Sequence, residues 1–167
     1  MTLRHKNHAM LFEAFRRACQ REPDLQLVCV GAIGRDHDEL VQLAAELSPA
    51  IHMLGHVERS DLDALFHRSE ALVFPSSYEG FGLPIIEAQH AELPVIASNA
   101  TALSEVAGNS GILLDPTDID AWASAMEERL RPTERAQHVA AGRENAARYT
   151  PKRTAEQQRS AYEQCRA

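Results

Sequence analysis

Glu79 and Glu87 stand eight positions apart in the run PSSYEGFGLPIIEAQHAELPV, residues 75–95, with Gly80, Gly82 and Pro84 between them. An ionised carboxylate only accepts hydrogen bonds, so neither acid suits a phosphate, but both can hold sugar hydroxyls. Gly80 and Gly82 permit unusual backbone angles and close approach by a ligand. A helix beginning near Leu83, with Pro84 in its first turn, would turn its free N–H groups and its dipole towards the loop, as an anion site requires. A ligand with phosphates in the middle and hydroxylated rings at both ends would use all of these parts. A nucleotide-sugar is such a ligand. Lys6 adds a candidate phosphate contact just before a helix; it and Lys152 are the two lysines beside fifteen arginines.

Plainer readings stand beside these. Either glutamate alone is ordinary, Glu79 as a solvated loop acid and Glu87 as an early helix acid favoured by the dipole. A glycosidase acid pair is a rival, but no independent feature marks a hydrolytic cleft. Gly31-Ala32-Ile33-Gly34 is half of a dinucleotide fingerprint, and a strand-to-helix turn explains it equally well. His5/His8 and His52/His56 have suggestive spacings, yet no acid or cysteine set completes a metal site. Gly55-His56-Val57 is a generic turn that could touch a base through its backbone. No Ser-His-Asp or Cys-His set is present.

The elements that must position these residues alternate. Apolar runs at 25–31, 50–54, 71–75, 94–98 and 111–115 are bounded by Gly, Pro or polar residues, as buried parallel strands tend to be. Between them lie helical patterns. Asn7 is placed to cap a helix carrying Leu11, Phe12, Phe15 and Cys19 on one face. Asp36 and Glu39 have capping-box spacing ahead of Leu40, Leu43 and Leu47. Ser60 can start a third, with Leu62, Leu65 and Phe66 inward. After Asp115 the pattern is helix alone, over Asp118–Leu130 and Thr133–Tyr149, and Thr150-Pro151 restarts the chain as a cap followed by Pro. The expected fold is α/β, a Rossmann-like parallel sheet with helices on both faces. In such sheets ligands bind beyond the carboxyl ends of the strands, where the 76–82 loop falls. The first strand looks truncated: the first helix begins almost at Met1, so Met1–Leu3 is a strand stub or the chain is a piece of something longer.

With 167 residues, 44% hydrophobic and 25% charged, the chain has the composition of a soluble globular domain. A net charge of −7 argues against nucleic-acid binding. Residues 1–21 nevertheless hold Arg4, Lys6, Arg16, Arg17 and Arg21 against one acid, Glu13, and the last three arginines read as a solvated helix face. No apolar run approaches a membrane span. Cys19, Cys29 and Cys165 are too scattered for a disulfide framework, which favours the cytoplasm.

The run EGFGLPIIE, residues 79–87, resembles the E-x7-E motif of retaining GT-B glycosyltransferases of family four. RHKN (4–7), the LVCVG strand, LGHV (54–57), VFPSSYEGFGLP, PVIAS, ALSEVAG (102–108) and GILLDP (111–116) follow the family order, so the resemblance covers nearly the whole chain. It implies the C-terminal, donor-binding half of a two-domain enzyme that works without a bound metal or other cofactor. On that pattern Lys6 contacts the donor diphosphate. Glu79 and the backbone of Gly80, Phe81, Gly82 and Leu83 face the transferred sugar and the phosphates. Glu87 holds the ribose, and Val57 lies near the base. Residues 1–149 would form the nucleotide-sugar domain and 150–167 a helix crossing back to an N-terminal acceptor domain. The wording of RHKN and YEGFGLP leans towards bacterial mannosyltransferases of polysaccharide assembly, hence GDP-mannose. Any peripheral membrane association would come through the absent half. Two departures stand out: Met1 occupies the place of a family arginine, and Glu92 that of a glycine before the PV strand. The alternative is a non-catalytic or split-enzyme subunit that binds nucleotide-sugar without transferring it.

Overall fold

The structure, a computed structural model, describes residues 2–128 and 132–165. Helices and strands alternate from α1 (His8–Cys19) through β1 (Leu27–Val30), α2 (His37–Leu47), β2 (Ile51–Gly55), α3 (Arg59–Arg68), β3 (Leu72–Phe74), α4 (Leu83–His90), β4 (Val95–Ser98) and α5 (Ala102–Ala107) to β5 (Ile112–Leu114). Then come α6 (Ile119–Glu127), α7 (Pro132–Ala146) and α8 (Pro151–Gln164). Four of the five strands lie inside the apolar runs, trimmed at their ends, and β2 extends one residue past its run to Gly55. Expected helix ends moved by a few residues, and Leu130 lies outside the described residues.

All pairings are parallel, as crossover helices require. Among the described residues β1 pairs with β2, and β3, β4 and β5 pair in that order, with no ladder joining the two groups. The parallel α/β arrangement is the expected one. Met1 lies outside the described residues, and Thr2 and Leu3 form no strand, although Leu3 is extended and the Thr2 N–H donates to the Ala32 carbonyl (3.2 Å).

Helices still cover both faces of β4, whose four residues are all buried. Ile96 packs in one cluster with Leu11, Phe12 and Phe15 of α1, Leu40 and Ala44 of α2 and Trp122 of α6, beside Leu27 of β1 and Ile51 of β2. Its neighbours Val95 and Ala97 face Ile85, Ile86, Leu103 and Val106 on the opposite side. Alternation of side chains along a strand makes both cores from one short segment. Arg17 donates to Asp120 (2.5 Å) and Arg21 to Glu127 (2.7 Å), so part of the expected solvated face clasps α6 to α1. Every described side chain of α8 is exposed. Among the described residues no helix is long and apolar enough to cross a membrane.

Two expected caps do not form. Asn7 is in the left-handed region (φ 59°), and its side-chain amide donates to the Pro75 and Pro116 carbonyls (3.3 and 2.7 Å), while its oxygen accepts nothing from the helix start. Asp36 precedes α2 without a side-chain cap. Ser60 lies one residue inside α3, which begins at Arg59. Thr150 does cap α8, accepting from the Arg153 N–H at 3.2 Å.

Candidate functional site

β3 ends at Phe74, and Pro75 and Ser76 are buried before the loop surfaces at Ser77. The loop returns to the interior at Gly82, which starts α4 at φ 95°. A Cβ added there would stand 2.5 Å from Leu103 Cδ2, and Leu103 is fully buried. Gly82 is therefore required twice, by its backbone angle and by its neighbour. Gly80 is not: its φ lies outside the left-handed region, and a side chain there would meet nothing within 4 Å. Its lack of a Cβ leaves open space instead of enabling a turn.

The 3-10 turn Arg4–Lys6 sits against this loop because His5 accepts from the Ser77 N–H at 2.8 Å. Lys6 thereby reaches Glu79, 73 residues away, and the two form an ion pair. The Lys6 ammonium also lies 5.5 Å from the centre of the Phe74 ring, a cation–π contact. Both charges are partly shielded from water, with side-chain exposures of 25% and 15%, which strengthens their attraction relative to a surface pair. The cation and the first, unpaired N–H groups of α4 share one edge of the sheet.

Glu87 lies on the second turn of α4 and accepts from Arg59 Nη1 at 2.7 Å. Arg59 opens α3, directly after the turn holding Val57, and also pairs with Asp63 (2.9 Å). The 55–58 turn is fixed from behind, since the Gly55 carbonyl accepts from the Gly31 N–H at 2.8 Å. Lys6, Glu79, Gly80, Phe81, Gly82 and Leu83 are thus brought together, while Glu87 is tied to the start of α3 by Arg59, two residues beyond Val57 in the chain.

Two participants escaped the sequence reading. Thr101 accepts from the Glu79 N–H (3.0 Å) and donates to the Glu79 carbonyl (3.1 Å), clamping the loop. It does so from φ 52°, a strained angle for a β-branched residue. Its only sequence signal is position, just beyond PVIAS at the same edge. Arg59 had none beyond following LGHV. Ile33, Tyr78 and Phe81 on loops at this edge, and Leu83 at the start of α4, are exposed apolar side chains. The histidines form no cluster: His52 Nε2 lies 2.7 Å from Gln26 Oε1. Among the described residues no set of three or more His, Cys, Asp or Glu could hold a metal.

Residues 2–146 match the model of the family described as Glycosyl transferases group 1. The chain belongs to this family. A relative, the O-antigen chain mannosyltransferase B of Escherichia coli, is 40% identical over 107 residues, 63% of this chain and 28% of that protein. A solved glycosyltransferase from Rickettsia africae superposes with a TM-score of 0.86 at 25% identity, over 98% of this chain and 45% of that one. The solved C-terminal domain of a group 1 glycosyl transferase from Francisella tularensis gives 0.75 at 25% identity, over 87% of this chain and 80% of that domain. The fold is that of GT-B C-terminal domains. The chain spans well under half the length of the curated relatives it matches.

Proposed function

We propose that this group 1 domain binds a nucleoside diphosphate sugar for a retaining transferase of family four. The complete enzyme moves the sugar to an acceptor hydroxyl in glycan or polysaccharide assembly, in the cytoplasm. The observation that carries the reading is the meeting of Lys6 and Glu79 beside the start of α4. A cation, a helix N-terminus and a carboxylate within one loop match the alternating phosphate and hydroxyl chemistry of such a donor.

On this reading the diphosphate draws Lys6 from Glu79 and lies along the N–H groups near Leu83. As the sugar departs, negative charge grows on the diphosphate, and Lys6 with the α4 terminus stabilises it. Glu79, released from Lys6, accepts from hydroxyls of the transferred sugar over the open space at Gly80. Glu87 exchanges Arg59 for the ribose hydroxyls, and the Val57 turn faces the base. GDP-mannose is the donor favoured on this reading, and the mannosyltransferase relative supports mannose as the transferred sugar. Residues 150–167 supply the helix that docks on the acceptor-binding part, and that part carries any contact with a membrane surface.

Calorimetric titration with UDP, GDP, UDP-glucose and GDP-mannose tests the proposal. The expected result is binding selective for one base, weakened about tenfold in Glu87→Ala, the scale of one hydrogen bond to a charged group. Equal affinities in Glu87→Ala and the parent chain would remove Glu87 from the site. No sugar transfer is expected from residues 1–167 alone, and transfer measured with this chain would refute the division of labour.

A further inference from the structure

We infer that Thr101 is a positioning residue for the sugar of the donor, an inference that rests on the donor site proposed above. Its hydroxyl holds the Glu79 backbone where the carboxylate can reach the sugar once the diphosphate has drawn Lys6 away. The loop between Ser77 and Gly82 has few tethers. Among the described residues the backbone of residues 78–81 makes no hydrogen bond except the two between Glu79 and the Thr101 hydroxyl (3.0 and 3.1 Å). Among the same residues Lys6 is the one hydrogen-bond partner of the Glu79 carboxylate. A phosphate that takes Lys6 therefore removes the side-chain anchor and leaves the backbone one. The Glu79 N–H and carbonyl belong to the two peptide planes that flank its Cα. Holding both fixes the backbone angles of Glu79, and with them the direction of its side chain.

The post that carries this hydroxyl is itself anchored. The Asn99 N–H donates to the Leu114 carbonyl of β5 (2.8 Å), the Ala100 N–H donates to Ser98 Oγ (3.0 Å), and the Ser104 hydroxyl donates to the Asn99 carbonyl. Two residues past Thr101, the buried Leu103 fills the space that a Cβ on Gly82 would need. Residues 101–103 thus support both ends of the EGFG loop, Glu79 through a hydroxyl and Gly82 through packing. Thr101 does this at φ 52° and ψ −131°, angles that glycine adopts freely and a β-branched residue does not. Glycine would relieve the backbone here and leave Glu79 untethered. The strain is therefore the cost of placing a hydroxyl that both donates and accepts.

Calorimetric titration of the chain with GDP and GDP-mannose, and with UDP and UDP-glucose, reads what the sugar adds, as the ratio of Kd values within each pair. Both members of a pair draw on Lys6 and the start of α4, and only the conjugate uses Glu79. Thr101→Val keeps the shape and removes the hydroxyl. It should shift the ratio of the bound pair about fivefold against the conjugate and leave the Kd of the bare nucleotide within about twofold of the parent. Thr101→Ser should restore the parent ratio. Thr101→Gly removes hydroxyl and strain together and should shift the ratio as Thr101→Val does, which separates the lost tether from any misfolding of the valine variant. Parent ratios in both Thr101→Val and Thr101→Gly would overturn the inference. Equal losses for nucleotide and conjugate would overturn it too, since they mark a residue that only holds the fold. No binding of any of the four ligands to the parent chain would instead sink the donor site, and the inference with it.

Discussion

At the residue scale, each candidate acid already has a cation: Lys6 for Glu79 and Arg59 for Glu87. If the proposed donor binds here, a diphosphate must compete with Glu79 for Lys6, and ribose hydroxyls with Arg59 for Glu87. Lys6→Ala is expected to weaken nucleoside diphosphates more than the corresponding nucleosides, by roughly tenfold, since one charge-assisted phosphate contact is lost. Calorimetry on both ligand classes reads that difference. His8 makes a second prediction. Burial, with the positive charge of Lys6 adding, lowers its pKa from 6.5 to about 4, and its Nδ1 is buried without a partner. The unfolded chain therefore binds a proton that the native state refuses between those two values. Stability is fully retained above 6.5 and falls as pH drops towards 4. Urea midpoints measured across that window should decline in the parent chain and decline less in His8→Phe.

At the scale of elements, two turns around α4 carry opposite lessons. Gly82 sits where only glycine fits, so Gly82→Ala should cost about 2 kcal/mol or more through backbone strain and collision with Leu103. It should also abolish nucleotide binding by moving the start of α4, and thermal melts with calorimetry would show both losses. Glu92 adopts φ 58° at the other end of the helix, where the family pattern has glycine. The turn forms regardless, with the Leu93 N–H donating to Ala88 at 2.9 Å and Arg143 paired to the Glu92 carboxylate. Glu92→Gly relieves the strain and loses only an exposed ion pair, so stability should rise by about 1 kcal/mol. An unchanged or lower Tm would show that the Arg143 pair outweighs the strain.

For the whole molecule, α4 is held to its neighbours by a buried polar set. Asn145 of α7 donates to Gln89 (2.9 Å) and to the Val106 carbonyl (2.7 Å), and Gln89 donates to Ser110 (2.7 Å). Asn145→Ala leaves the Gln89 and Val106 oxygens short of a donor, at an expected cost of about 2 kcal/mol. Denaturant titration should show that loss with an unchanged m-value.

What the sequence alone determined is what neighbouring residues dictate. Apolar runs of strand length, broken by helical periodicity, place the five strands and most helices of an α/β domain, because burial period and turn chemistry are local. The EGFGLP loop was equally legible, since glycine, proline and acid types act within a few positions. Only the tertiary structure decided what depends on chain segments meeting. It chose Lys6 for Glu79 across 73 residues, gave Glu87 to Arg59, and turned Asn7 from a helix cap into a tie between two loops. It put Thr101 on the Glu79 backbone and left β1 and β3 unjoined. Those partnerships are selected by packing geometry, and no spacing along a single chain encodes the distance between two strands.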